Sequence, residues 1–169
     1  MNPRAARLTA MGGCKMDIAL LLFLILLNGF FSMSEMAVVS SRKARLQRLT
    51  DDGSPGAQTA LSLHTEPSNF LSAIQVGITS VGILSGAIGE TVLADPLAAH
   101  LAEFAPIAPY ARGIALTLVV VGLTYFSVVI GELVPKRLAL RAPEGIASLI
   151  ARPMIWFAES VRPLVWLFT

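Results

Sequence analysis

The sequence predicts an all-α membrane protein, with three transmembrane helices per protomer and juxtamembrane or interfacial helices around them. Three observations predict it. Of 169 residues 54% are hydrophobic and only 14% charged, the mean hydropathy is +0.69, and the charges cluster so as to leave three long gaps. The gaps are Ile18–Ser34 (17 residues), Pro67–Gly89 (23) and Gly113–Gly131 (19). A helix needs roughly 20 residues to cross ~30 Å of hydrocarbon, so each gap with its flanks makes one crossing. Helices are the right element because a backbone in lipid must satisfy its own hydrogen bonds, and the alternating pattern of a barrel strand is absent.

The same composition excludes a disordered chain, a collagenous repeat and a disulfide scaffold. With 13 Lys+Arg against 11 Asp+Glu the net charge is +2, too small to call for a nucleic-acid partner. Cys14 is the single cysteine. It cannot form an internal bridge and has no Cys or His neighbours at metal-ligand spacing.

The first span is expected over about residues 17–40, after an N-terminal tail, 1–16. Glu35 interrupts it before Met36, Ala37, Val38 and Val39 resume the pattern. A cleaved signal peptide is the alternative, because Arg4, Arg7 and Lys15 precede the apolar run. The run is too long for that, no small-residue cleavage site follows, and two more spans come after it. Met11 and Met16 stand just ahead of the span, so the first 15 residues read as a leader of little structural weight.

Residues 41–64 read as a polar helical hairpin broken at Asp52-Gly53-Ser54-Pro55-Gly56, a run of strong turn formers. The second span follows over about 67–92, with Pro67 where a helix start tolerates it and Thr65 or Ser68 available as caps. Between Asp95 and Pro109, Leu97, Leu101 and Phe104 form a short amphipathic stretch expected along the outer surface. The third span covers about 110–134. From 143 to 169 the chain is apolar but punctured by Arg152, Glu159 and Arg162, with Trp156 and Trp166 near its end. A fourth crossing would bury those charges at several kcal/mol each. An interfacial helix with tryptophans at headgroup depth fits better. The chain stops in mid-pattern at Trp166-Leu167-Phe168-Thr169, and we expect it to be the membrane part of a longer polypeptide.

Orientation follows from the basic residues. Arg42, Lys43, Arg45 and Arg48 lie between the first two spans, and Lys136, Arg137, Arg141, Arg152 and Arg162 follow the third. These nine outnumber the four on the other side, Arg4, Arg7, Lys15 and Arg112. The positive-inside rule then puts the hairpin and the C-terminus in the cytoplasm and the N-terminus outside.

Polar groups interrupt each span, and each interruption has an ordinary explanation beside a functional one. Asn28, Ser32 and Glu35 fall on one face of the first span, at spacings of four and three. Ser32 can simply bond back to a carbonyl one turn earlier, with Glu35 at the interface. The second span carries Gln75, Gly77, Thr79, Ser80, Gly82, Ser85, Gly86 and Gly89. Small residues permit close helix packing, and Gly82 to Ser85-Gly86 is a small-xxx-small pattern. They also permit a helix break that frees carbonyls toward a cation or a water-filled cavity. In Gly131-Glu132-Leu133-Val134-Pro135-Lys136, Pro135 brings no donor and crowds the Gly131 carbonyl four residues back, right beside a carboxylate. Glu132 paired with Lys136 or Arg137 is the plain reading. The other is a site for a hard cation, built almost wholly of oxygen: Ser32, Thr79, Ser80, the Gly131 carbonyl and Glu132. Spacing alone leaves both open.

Phe30-Phe31-Ser32-Met33-Ser34-Glu35-Met36-Ala37 and Gly131-Glu132-Leu133-Val134-Pro135-Lys136 resemble the paired signatures of the membrane (DUF21-type) domain of the CorC and CNNM (cyclin M) proteins, the hemolysin-C-like magnesium transporters. The resemblance covers about Asp17 to Thr169. It implies a homodimer of three-helix protomers in the inner (plasma) membrane, with a cytoplasm-facing cavity holding one Mg2+ per protomer. It also implies Na+-coupled Mg2+ export, and, in the full chain, cytoplasmic CBS modules that are absent from this sequence. On the motif, Ser32 and Glu132 fall on the family's ligand positions, with Gly131 offering its carbonyl. The second helix departs from the Gly-Asn-x-x-Val-Asn stretch of many family members: here it reads Gly77-Ile78-Thr79-Ser80-Val81-Gly82, where Thr79 or Ser80 can supply a hydroxyl and Gly82 offers only backbone.

The expected function is therefore membrane transport of Mg2+, with Glu132 supplying the full negative charge that offsets dehydration. The alternative is a membrane anchor and dimerisation module that transports nothing. An enzyme is not expected, since no nucleophile and base are paired and His64 and His100 fall in surface segments as solvated polar residues.

Overall fold

The computed structural model describes the backbone of residues 3–167 and the side chains of residues 16–161. Every regular element among them is helical. The order is α1 (Pro3–Ser40), α2 (Lys43–Asp51), α3 (Pro55–Thr65), α4 (Pro67–Gly89), a π-helical turn (Glu90–Ala94), α5 (Asp95–Ala102), a 3-10 turn (Ala108–Tyr110), α6 (Ala111–Val128), a second π-helical turn (Val129–Leu133), α7 (Val134–Arg141) and α8 (Pro143–Leu167). Three stretches are long and apolar enough to cross a membrane: Met16–Ser40, Pro67–Ala102 and Ala108–Arg141.

The second and third paths run further than the sequence pattern indicates. Each is one helical path through a proline, and the π-turns explain how. A proline ring crowds the carbonyl four residues back, and one residue of extra slack per turn relieves the crowding without ending the helix. Asp95 N–H accordingly reaches the Glu90 carbonyl, and Val134 N–H the Val129 carbonyl, five residues back in both cases. Pro96 and Pro135 each follow one residue later. The stretch after Asp95 is thus a continuation of the second span that packs on α6, with Leu97 and Leu101 half-buried and Phe104 exposed.

The α2–α3 hairpin turns at Gly53, the residue with positive φ (+86°), a conformation that glycine adopts without a Cβ penalty. Ser54 caps α3 by accepting from Ala57 N–H at 3.4 Å. At the next helix start neither expected cap acts. Glu66 takes the cap position without a side-chain bond, and the Thr65 hydroxyl, still in the last turn of α3, donates back to the Leu61 carbonyl.

α1 is the central element. Leu21, Leu24, Ile25, Asn28, Phe31, Ser32, Ala37 and Val38 are buried along it against α4, α7, α8 and the second π-turn. The core gathers at the hairpin end, where Leu46, Ala60, Leu63, Phe70, Ile74, Ala147, Ile150 and Met154 join it. Phe31 stacks on Phe157 at 4.7 Å between centroids, over Gly77, where a Cβ would lie 3.0 Å from each ring. Two polar ties hold the hairpin end together. His64 Nε2 lies 2.9 Å from the Ser41 carbonyl, so this histidine joins α3 to the end of α1 instead of facing water as the sequence reading has it. Glu144, buried in the first turn of α8, accepts from Arg42 N–H at 3.3 Å and meets Arg45 at 3.7 Å. α6, by contrast, exposes Leu116, Leu118, Val120, Val121, Tyr125 and Phe126, an apolar surface that suits lipid.

Candidate cation site where the first span crosses the second π-turn

α1 and the second π-turn meet through two glycines. A Cβ on Gly29 would lie 3.0 Å from the Pro135 ring and 3.2 Å from the Ile130 carbonyl oxygen, and one on Gly131 would lie 3.0 Å from Asn28 Nδ2. No other residue type lets the two backbones come this close without displacement. Into the contact α1 projects Asn28, whose Nδ2 donates to the Gly131 carbonyl at 3.2 Å. Pro135 has no N–H to offer that carbonyl, and an amide from 103 residues away in sequence serves it instead.

One helical turn along the same face sits Ser32, fully buried at 0% exposure. Two serines compete for back-bonding here, and the structure separates them. Ser34 Oγ donates to the Phe30 carbonyl at 2.6 Å. Ser32 Oγ is buried with no hydrogen-bond partner, and so is Asn28 Oδ1. Two unpaired buried oxygens on one face are costly, because each loses water without replacement.

Glu132, half-buried, lies next to Gly131 on the π-turn. The plain reading of this carboxylate fails: Lys136 Nζ turns to Glu35 at 3.7 Å, and among the described residues Glu132 has no ion-pair partner. The Glu35–Lys136 pair thus joins α1 to α7 one turn beyond Ser32 and Glu132, and leaves Glu132 as the uncompensated charge of this region.

The structure therefore brings Gly131 against α1 and puts Ser32 and Glu132 on the two crossing elements. Thr79 and Ser80 are exposed on α4, outside the buried contact. The role of Asn28 went unassigned in the sequence, where it stood only as a polar member of the Ser32 face. Among the described residues no three His, Cys, Asp or Glu side chains group as metal ligands. A site here would rest on hydroxyl, amide and carbonyl oxygens around one carboxylate, a donor set for a hard cation.

The family model described as the cyclin M transmembrane N-terminal domain matches residues 19–169. The chain belongs to the cyclin M family. This cyclin M domain is 47% identical over 153 residues to the UPF0053 protein sll0260 of Synechocystis, covering 90% of the chain and 34% of that relative. It is 35% identical to UPF0053 protein YrkA of Bacillus subtilis, with 89% and 35% covered. It is 34% identical to the polyamine export protein of Salmonella typhimurium, with 90% and 34% covered. The chain spans about a third of the length of these curated relatives. With three apolar spans and membership in a membrane-domain family, it is a membrane protein embedded in a lipid bilayer.

Proposed function

We propose that this cyclin M domain carries Mg2+ across the membrane, outward and in exchange for Na+, through a site made of Ser32, the Gly131 carbonyl and Glu132. The observation that carries the reading is the fully buried, unpartnered Ser32 hydroxyl beside a π-turn whose carboxylate has no ion-pair partner among the described residues. Mg2+ takes oxygen ligands at ~2.1 Å and sheds water reluctantly, so a full negative charge among prepared oxygens is what its dehydration requires. Thr79 or Ser80 would complete the shell if α4 turns inward on binding. The working unit would be a homodimer in the plasma or inner membrane, with the hairpin and α8 on the cytoplasmic side and CBS modules following in a longer chain.

A polyamine is the second cargo to weigh, because a 34% identical relative is named a polyamine export protein. The two cargoes make different demands. A polyamine carries ammonium groups several bonds apart and needs an open passage for its alkyl chain. The crossing here is closed by Gly29 and Gly131 to contact distance, and Glu35, the carboxylate one turn beyond Ser32 on α1, is held by Lys136. Both features favour a small ion. The deciding experiment is efflux from liposomes holding the reconstituted full-length protein and loaded with Mg2+ or with spermidine. Mg2+ efflux that Glu132→Ala abolishes supports the reading. Spermidine efflux without Mg2+ efflux replaces it with the second, and no efflux of either cargo leaves a membrane anchor.

A further inference from the structure

A groove of about 370 Å³ between α4 and α6 plays no part in that reading. Gly82 and Gly86 leave it open, since nothing lies within 4 Å of either Cβ position. On α4 the lining residue nearest the hairpin is Gly82 and the one nearest α5 is Glu90; on α6 Val128 and Leu116 hold the same two places. The first of these ends adjoins the candidate cation site. Val128 directly precedes the second π-turn. Ile25 of α1 also lines the groove, and its carbonyl oxygen lies 3.4 Å from the Cβ position of Gly131. The Ile25 side chain, 7% exposed, is thus the partition between crossing and groove.

The lining does not suit hydrocarbon. Ser85, Thr124 and Ser127 face the groove, and among the described residues their hydroxyls make no hydrogen bond. Thr91 and Thr117, outside it, donate to the Ile88 and Gly113 carbonyls at 3.0 and 2.8 Å. A hydroxyl facing lipid satisfies itself by such a back-bond, so three that do not are free for water or an ion. At the α5 end Arg112 meets Glu90 at 3.3 Å and Asp95 at 3.9 Å. Two carboxylates share one guanidinium there, which leaves a net negative charge, and exposed pairs of this kind exchange partners easily.

We infer that this groove is the ion's route between the crossing and the α5 side of the membrane, with Glu90 as the carboxylate that receives the ion at the far end. The inference rests on the proposed function and adds a second station to it, on residues that belong to neither motif. Mg2+ keeps its waters unless a site replaces them. Six waters at ~30 Å³ each take about 180 Å³, so the groove admits the hydrated ion, and hydroxyls and a carboxylate suit the outside of that shell. Glu90 need not dehydrate the ion; it exchanges Arg112 for it.

The test uses the full-length protein reconstituted in liposomes, with its native cysteines replaced by serine. Thr124→Cys should react with a charged, water-soluble methanethiosulfonate, because a thiolate forms where water reaches it. Leu118→Cys, on the exposed apolar face of α6, should not react. Glu90→Gln should cut Mg2+ efflux by roughly tenfold or more while calorimetric Mg2+ affinity stays that of the parent, a split that damage to the crossing does not produce. Thr124→Cys labelling no faster than Leu118→Cys means that lipid or a second copy of the chain fills the groove, and overturns the inference. So does Glu90→Gln with undiminished efflux, or with efflux and affinity lost together. If Glu90→Gln does not fold, the labelling decides alone. A parent that exports no Mg2+ defeats the proposed function and this route with it, whereas an exporting parent with a dry groove defeats only the route.

Discussion

Gly29→Ala probes the crossing that assembles the site. The added Cβ would stand 3.0 Å from Pro135 Cγ and 3.2 Å from the Ile130 carbonyl oxygen. Ordinary carbon contacts lie at about 3.5–4.0 Å, so α1 must retreat by several tenths of an ångström from a rigid ring and from backbone. Overpacking of this kind costs about 1–3 kcal/mol, against which alanine returns about 0.5–1 kcal/mol of helix preference. The net is a loss of roughly 0–2.5 kcal/mol, a melting decrease of up to about 10 °C at this chain length. Gly122→Ala is the matched control, since nothing lies within 4 Å of its Cβ position; it should melt at or slightly above the parent. Because the retreat separates α1 from the π-turn, Gly29→Ala should also reduce the Mg2+-dependent rise in melting temperature, measured by intrinsic fluorescence in detergent. A Gly29→Ala protein that melts like Gly122→Ala and keeps the full Mg2+ response would refute the reasoning.

Other expectations follow from the same geometry. Ser32→Ala removes an unsatisfied buried oxygen and should leave the ion-free protein unchanged or about 1–2 kcal/mol more stable, while losing the Mg2+ response; Ser34→Ala deletes only a back-bond and should keep that response, as paired melting curves would show. Glu144→Gln weakens the acceptor for Arg42 N–H and the contact with Arg45, a cost of about 1–2 kcal/mol visible as faster amide exchange in α2 and the start of α8. Arg112→Ala breaks contacts to Glu90 at 3.3 Å and Asp95 at 3.9 Å, yet these exposed pairs are worth about 0–1 kcal/mol, so melting should shift by no more than a few degrees and less still in high salt.

The three spans were legible because crossing a bilayer is a length requirement, and uncharged runs can be counted. The hairpin was legible at Asp52–Gly56 because turn chemistry is local. The π-turns were not. A proline announces that one carbonyl will be crowded, but whether the helix ends or takes an extra residue depends on what packs beside it, here Gly29 against the Pro135 ring. Ser32 and Ser34 likewise have equal access to a carbonyl one turn back, and only packing shows which of them uses it. The Asn28 amide and the Glu144 carboxylate act on partners more than 100 residues away, beyond the reach of any periodicity. Glu132 and Lys136 illustrate the opposite error. Their spacing of four favours pairing, and tertiary structure overrides it by offering Lys136 a different carboxylate.

The central claim is that one divalent ion sits between the first span and the second π-turn. Its most direct measurement is an anomalous diffraction map from crystals of the full-length protein grown with Mn2+, a hard divalent stand-in with a strong signal. The account predicts a peak within coordination distance of both Ser32 Oγ and the Glu132 carboxylate. A map with no peak there, and with Glu132 turned toward the lipid headgroups away from Ser32, would contradict it.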